Sequence, residues 1–317
     1  MKAVFLDYAS MGPNLDLQPL HALFADLDIY DDTSDAQAAD RIRDAEFIFT
    51  NKIRLTVDLL LQASKLKYIG LTATGTDNID LATAEQHGIA VCNIRGYCTQ
   101  SVVEHVFGTL LMLTHSLNRY NASVRAGEWQ KSENFCLLSH PVRELSSMTM
   151  GIVGYGELGQ GVARIARAFN MDVIVSARPG SDPVDEGRVA FTELLERSDV
   201  ISLHCPLNDK TRDLFDADAF AKMKTGAILI NTARGALVDS GALVDALQSG
   251  QLAGAAIDVL AKEPPSDGDP LLDYDGENLI VTPHIAWATD DARQNAIDEL
   301  AANVAAFLQG ESRNRVV

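Results

Sequence analysis

Residues 149–179, TMGIVGYGELGQGVARIARAFNMDVIVSARP, narrow the fold of this chain more than any other stretch. An apolar run at 149–153, suited to a buried strand, leads into GYGELG at 154–159. Leu158, Val162, Ile165, Ala166 and Phe169 then repeat on one helical face, and a second apolar run follows at 172–176. The stretch reads as a strand-helix-strand unit. Gly154 permits the tight turn, Gly156 lets a pyrophosphate approach the backbone, and Gly159 lets the helix pack closely on its strand. Phosphates would sit at the positive helix N-terminus. A glycine turn alone is a weak signal, but between two predicted strands it points to dinucleotide binding.

A chain of 317 residues accommodates two domains, each with its own core. A net charge of −18 and a pI near 4.7 argue against nucleic acid or an anionic membrane as partner. The acidic patches at 26–46 and 267–275 read as solvated loops and helix faces. Cys92, Cys98, Cys136 and Cys205 have neither metal-site spacing nor disulfide-scaffold density, so reduced thiols and no metal are expected. The opening MKAVFLDYAS meets Asp7 too soon for a signal-peptide core and reads as a first strand. No stretch approaches the roughly 20 apolar residues of a membrane helix. These features together predict a cytoplasmic protein.

Up to about residue 95, apolar runs at 2–6, 46–50, 68–72 and 89–93 alternate with helical patterns, which implies a parallel sheet covered on both faces. No glycine-rich turn follows the first strand, so this half is not read as the nucleotide site. Two polar loops, Thr50-Asn51-Lys52 and the segment 73–78, lie just past strand carboxyl ends, where open α/β sheets bind ligands. SVVE at 101–104 reads as a capping box opening a long helix to about residue 118. Val102, Val103, Val106, Phe107, Leu110, Leu111, Leu113 and Leu117 leave that helix little polar face, which suggests burial in the protein or, by preference, against a second subunit. Residues 125–143, with Trp129 and Phe135, read as an arm that could lie over a partner in a homodimer. Further strands at 200–203, 227–231, 255–258 and 279–281 complete a dinucleotide-binding domain, and a helix at 290–308 returns to the first domain. The expectation is α/β, two doubly wound parallel-sheet (Rossmann-like) domains with a cleft between them: residues 1–99 plus 286–317 for substrate, 100–285 for dinucleotide.

Three polar stretches follow predicted strands of the second domain, NTARGA at 231–236, DVLAKEP at 258–264 and TPHIAW at 282–287. They bring an arginine, a glutamate and a histidine to the edge of the sheet that carries the glycine loop. A guanidinium can grip a carboxylate with two parallel hydrogen bonds. An imidazolium can give a carbonyl oxygen its proton, and a glutamate can hold that ring and stabilise its charged form. Reduction would then weaken with rising pH and oxidation would strengthen. Taken singly, such an Arg or His is more often a surface or structural residue; it is the joint placement that points to chemistry.

With ATGTDNID, GIVGYGELG, NTARGALVD, the Glu263-Pro264 pair and TPHIAWAT in place, the chain resembles the D-isomer-specific 2-hydroxyacid dehydrogenases over nearly its whole length. The resemblance implies that Arg234 binds the substrate carboxylate and carbonyl, that His284 is the acid/base and that Glu263 is its partner. It also implies that amides at Thr74 and Gly75 hold the carboxylate, with Thr74 close to the cofactor as well. Glu157, Leu158, Cys205, Thr232 and Asp258 are implied to lie along the cofactor, beside Gly154, Gly156 and Gly159. Thr50-Asn51-Lys52, the ATGT loop and Trp287 resemble the glycerate dehydrogenase/hydroxypyruvate reductase branch, with glyoxylate small enough for the same site. Lys52 could add a charge to the carboxylate or be a solvated loop lysine; Trp287 could wall the pocket or pack between domains.

Where an acidic residue would hold the adenine ribose hydroxyls, the sequence has Ser176-Ala177-Arg178-Pro179. Ala177 cannot accept hydrogen bonds there and Arg178 can pair with a 2′-phosphate, so NADP(H) is favoured over NAD(H). The alternative is that Arg178 stacks on adenine and tolerates both. Two other functions remain open: a dinucleotide-sensing corepressor, which would bind tightly and turn over slowly, and a phosphoglycerate dehydrogenase without its regulatory domain. A formate dehydrogenase would be expected to carry glutamine at Glu263.

Overall fold

A computed structural model describes residues 1–178, 181 and 187–317. Pro179, the end of the glycine-loop stretch, lies outside them. The chain forms two compact units, Met1–Cys98 with Trp287–Val317, and Thr99–Ala286.

In the first unit, β1 (Lys2–Phe5), β2 (Asp26–Ile29), β3 (Phe47–Thr50), β4 (Tyr68–Leu71) and β5 (Ala90–Cys92) form one parallel sheet in the order β2-β1-β3-β4-β5. β3 and β4 are buried at every position, so their sequences are continuous apolar runs rather than alternating ones. β2 corrects the reading of residues 26–46 as solvated loops and helix faces. Its DLDI sequence carries two acids because it is an edge strand, half-buried along most of its length. The helix Asp290–Leu308 packs Ala296, Ile297, Leu300 and Val304 into this unit's core, against Phe47, Phe49 and Tyr68 among others. Close approach requires Gly70, where a Cβ would stand 2.4 Å from Leu300 Cδ1.

The second unit contains β6 (Thr149–Val153), β7 (Asp172–Val175), β8 (Val200–Leu203), β9 (Ala227–Asn231), β10 (Leu252–Ile257) and β11 (Leu279–Val281). All are parallel, in the order β11-β10-β9-β8-β6-β7. The order reverses between β6 and β8, and the carboxyl edge at such a switch point is where doubly wound sheets bind ligands. β7 is extended by a parallel bridge between Ser176 and Val189.

The helix read from residue 101 starts earlier and stops sooner, at Thr99–Thr114. Ser101 is not a cap: it is buried and its hydroxyl donates to the Ala286 carbonyl at 2.7 Å, while Glu104 accepts from Gln100 at 2.9 Å. Ser116 ends the run in a left-handed conformation (φ +49°), its hydroxyl donating to Pro141 O at 2.7 Å, and a second helix, Leu117–Arg125, follows. Val102, Val103, Val106 and Leu110 are buried within this unit, whereas Leu117 is exposed. No helix among the described residues is long and apolar enough to cross a membrane.

Candidate active site

The glycine loop joins β6 to the helix Glu157–Ala168, with Gly156 as its N-cap. Gly154 has φ +95°, and a Cβ there would lie 2.5 Å from the Cys205 nitrogen and the His204 carbonyl carbon. A Cβ on Gly159 would lie 2.1 Å from Gly154 O, so this glycine lets the helix close on the turn. Gly156 differs: its φ is ordinary (−78°) and a Cβ would meet nothing within 4 Å. Nothing in the protein itself requires a glycine at 156; a ligand approaching the backbone would.

Beside this loop is a cavity of about 620 Å³, within the range of ligand sites. Gly154, Gly156, Arg178 and Cys205 line it, together with Tyr155, Ser176, Ala177, Arg188, His204, Asn208, Lys210 and Thr211. Burial pushes the Cys205 thiol up to about 11, so it remains neutral. Burial pushes the His204 imidazole down to about 4, so it too is uncharged at pH 7. Its Nε2 meets Ser202 Oγ at 2.8 Å. His204 Nδ1 and Thr232 Oγ1 are both buried without a partner among the described residues. Orphaned polar atoms of that kind need a partner, and a dinucleotide along this edge would supply hydrogen-bonding groups. An open glycine cradle at a helix N-terminus, orphaned polar atoms and a cavity of this size fit a nicotinamide dinucleotide.

Of the other residues expected along the cofactor, Glu157 accepts a hydrogen bond from the Thr99 hydroxyl and Leu158 is half-buried in the first helical turn. Asp258, 2% exposed, has a larger structural task. Its carboxylate accepts from Thr282 Oγ1 at 2.6 Å and from the amides of Ile285 and Ala286, each at 2.9 Å. Its carbonyl accepts from the His284 amide at 2.7 Å. Four bonds from one residue thereby hold the turn that presents His284, whose own φ is +57°. His284 Nδ1 meets Glu263 Oε2 at 2.6 Å, and Glu263 Oε1 accepts from the Leu260 amide at 2.8 Å. Because an ionised carboxylate only accepts, Nδ1 carries hydrogen and Nε2 is the nitrogen left to exchange a proton.

Arg234 follows β9 in a turn tied by Asn231, whose side chain bonds Arg234 O at 2.9 Å and the Ala233 amide at 3.0 Å. Arg234 Nη1 donates to Ala233 O at 2.8 Å. A Cβ on the adjacent Gly235 would fall 1.9 Å from the Leu260 carbonyl carbon, so the arginine turn lies directly on the loop that carries Glu263. The second unit thus brings Arg234, Glu263 and His284 onto neighbouring loops at one sheet edge.

In the first unit, Asp7 organises the Lys52 loop. It is 3% exposed, and its carboxylate accepts from the amides of Asn51 (2.9 Å), Lys52 (2.6 Å) and Ile53 (3.3 Å). Lys52 itself is exposed on this fixed backbone. In the neighbouring loop, Thr74 Oγ1 donates to Ile94 O at 2.9 Å and Thr74 O accepts from Asn93 Nδ2 at 2.7 Å, with the half-buried Gly75 next in line. Trp287 packs edge-on to Tyr97 with ring centroids 6.3 Å apart.

Sequence reasoning missed Asp7, Tyr155, Arg188, His204 and Lys210. For His204 and Lys210 the signal was their position just past β8, the strand across the switch point from the glycine loop. Arg188 had none, since it lies well beyond the end of β7 with no motif around it. Among the described residues, no cluster of three His, Cys, Asp or Glu could hold a metal.

Residues 107–286 match the family model described as D-isomer specific 2-hydroxyacid dehydrogenase, NAD binding domain. The chain is 44% identical over 280 residues to a glycerate dehydrogenase of Methylorubrum extorquens, covering 88% of each. It is 37% identical to a hydroxypyruvate reductase of Blautia hydrogenotrophica, covering 100% of this chain and 99% of the relative. Among solved structures, an acyclic imino acid reductase (Bsp5) in complex with NADPH and D-Arg superposes with a TM-score of 0.87 at 28% identity, covering 100% of each chain.

Proposed function

The chain belongs to the D-isomer-specific 2-hydroxyacid dehydrogenases, and on that premise we propose that it reduces hydroxypyruvate or glyoxylate with NADPH, giving D-glycerate or glycolate. The observation that carries the reading is the Glu263–His284 pair at 2.6 Å, on a turn braced by Asp258 and beside the arginine turn. When bound, the nicotinamide supplies the hydride that adds to C2. Arg234 grips the carboxylate and orients the carbonyl. His284 gives the carbonyl oxygen a proton from Nε2, and Glu263 offsets the charge on the ring before that transfer. Lys52, Thr74, Gly75 and Trp287 are the further substrate-binding residues of this proposal, and Thr74 also approaches the cofactor. Gly154, Gly156, Glu157, Leu158, Gly159, Arg178, Cys205, Thr232 and Asp258 are its cofactor-side residues.

NADPH over NADH rests on the cationic end of the cavity, to which Arg178 belongs, with Ala177 where an acidic side chain would repel a 2′-phosphate. The family model speaks of NAD and the imino acid reductase holds NADPH, so the preference belongs to the individual chain. Initial rates with both cofactors and with hydroxypyruvate, glyoxylate and pyruvate test the proposal. Fast NADPH-dependent reduction of the first two is expected. A higher catalytic efficiency with NADH would overturn the cofactor part alone, whereas tight dinucleotide binding without turnover would favour a corepressor-like sensor.

A homodimer in the cytoplasm completes the proposal. The arm after Arg125 is anchored at its far end, by Tyr120 OH donating to His140 O at 2.7 Å and by the Arg143 amide donating to Thr114 O at 2.9 Å. Yet Trp129, Phe135 (91%), Leu138 (85%) and Val142 are exposed along it, more apolar surface than a solvated arm needs. Light scattering should give twice the chain mass, and Phe135→Asp with Leu138→Asp should halve it; a monomeric wild type would refute the dimer.

A further inference from the structure

Three cations, Arg178, Arg188 and Lys210, line the dinucleotide cavity in a chain of net charge −18. The two arginines differ in how they are held. Arg178 is exposed on the loop after β7. Arg188 is half-buried, and the residue after it is locked to the end of that strand: the Ala177 amide donates to Val189 O at 2.8 Å and the Val189 amide to Val175 O at 2.9 Å. Its Nη1 donates to Ser176 O at 3.1 Å, and its guanidinium carbon lies 5.9 Å from the centre of the Tyr155 ring beside the glycine loop.

The carboxyl end of the second strand of such a unit is where the adenine ribose is read. A guanidinium already oriented there loses less conformational freedom on binding than one on an exposed loop, and its charge is less screened by water. We propose that Arg188, and not Arg178, is the principal residue recognising the 2′-phosphate of NADPH, with Arg178 and Lys210 adding longer-range attraction. This rests on the NADPH reading above and names the residue that produces it.

The test is calorimetric titration of the full-length chain with 2′,5′-ADP and with 5′-AMP, which differ only in the 2′-phosphate. Arg188→Ala should weaken 2′,5′-ADP by about 10–100-fold, the range expected for a lost charged hydrogen bond, while 5′-AMP changes little. Arg178→Ala should cost less. Arg188→Gln, which keeps a donor for Ser176 O but removes the charge, should behave like Arg188→Ala, so that an effect on the loop itself is separated from an effect on the phosphate. Equal weakening of both nucleotides, or a larger loss at Arg178, overturns the assignment. If the wild type holds 5′-AMP as tightly as 2′,5′-ADP, the NADPH reading falls and this one with it. A wild type that discriminates, together with an Arg188→Ala variant that still does, overturns this inference alone.

Discussion

His284→Ala is expected to lower kcat for reduction of hydroxypyruvate by about 10²–10⁴-fold, the usual contribution of a positioned general acid, while the KM for the dinucleotide stays near wild type. The separation follows from the architecture. The cavity beside the glycine loop is built by residues after β6, β7 and β8, whereas His284 follows β11 and is held by Asp258 and Glu263. Removing the imidazole takes away the proton donor and leaves the cavity intact. Glu263→Gln gives a finer test. A glutamine whose Oε1 keeps the Leu260 amide presents its NH2 group to Nδ1, which forces the ring proton onto Nε2. A ring protonated there cannot act as a base, and without the carboxylate its charged form is no longer stabilised, so the variant should lose rate in both directions and its reduction should fall off at lower pH than in the wild type. In the wild type the two directions should respond oppositely to pH, because reduction needs the imidazolium and oxidation the neutral ring. Steady-state rates in both directions across a pH series check this. Parallel profiles, or a His284→Ala variant with wild-type kcat, would remove His284 from the chemistry.

How much of this was readable in the sequence depended on how local the physics was. β3, β4, β6, β8 and β9 are buried on both faces, so their apolar runs announced them. β2 is an edge strand whose acids face water, and nothing within its four residues distinguishes it from a loop. The capping box at 101–104 satisfied a local rule, yet Ser101 is buried and bonded to Ala286, far along the chain; tertiary packing chose a different helix start. Arg234, Glu263 and His284 were legible because each directly follows or closely trails a strand within a dense motif. Asp7 was not, because its task is defined by the amides of residues 51–53, brought to it by strand pairing. Arg188 was hidden for the same reason: the Ser176–Val189 bridge that carries it to the end of β7 is a long-range contact.

The glycine loop separates what the fold requires from what the ligand requires, and substitutions there should divide accordingly. Gly156→Val is expected to leave thermal stability close to wild type, since a Cβ there has an allowed φ and nothing within 4 Å to strike. It places methyl groups in the space a pyrophosphate would enter. A clash of about 1–3 kcal/mol, typical of forced overpacking, corresponds to roughly 5–150-fold in dinucleotide Kd. Gly159→Val should do the reverse first: its Cβ would lie 2.1 Å from Gly154 O, so the helix must move off β6, and the melting temperature should fall before any ligand is added. With backbone rather than a flexible side chain in the way, the destabilisation should reach or exceed the same 1–3 kcal/mol. Calorimetric Kd values for NADPH, measured beside unfolding midpoints without it, distinguish the two. A Gly156→Val chain that binds NADPH as well as wild type would mean that no phosphate approaches that backbone. A Gly159→Val chain of wild-type stability would mean that the contact between the helix and the turn has more room than 2.1 Å implies.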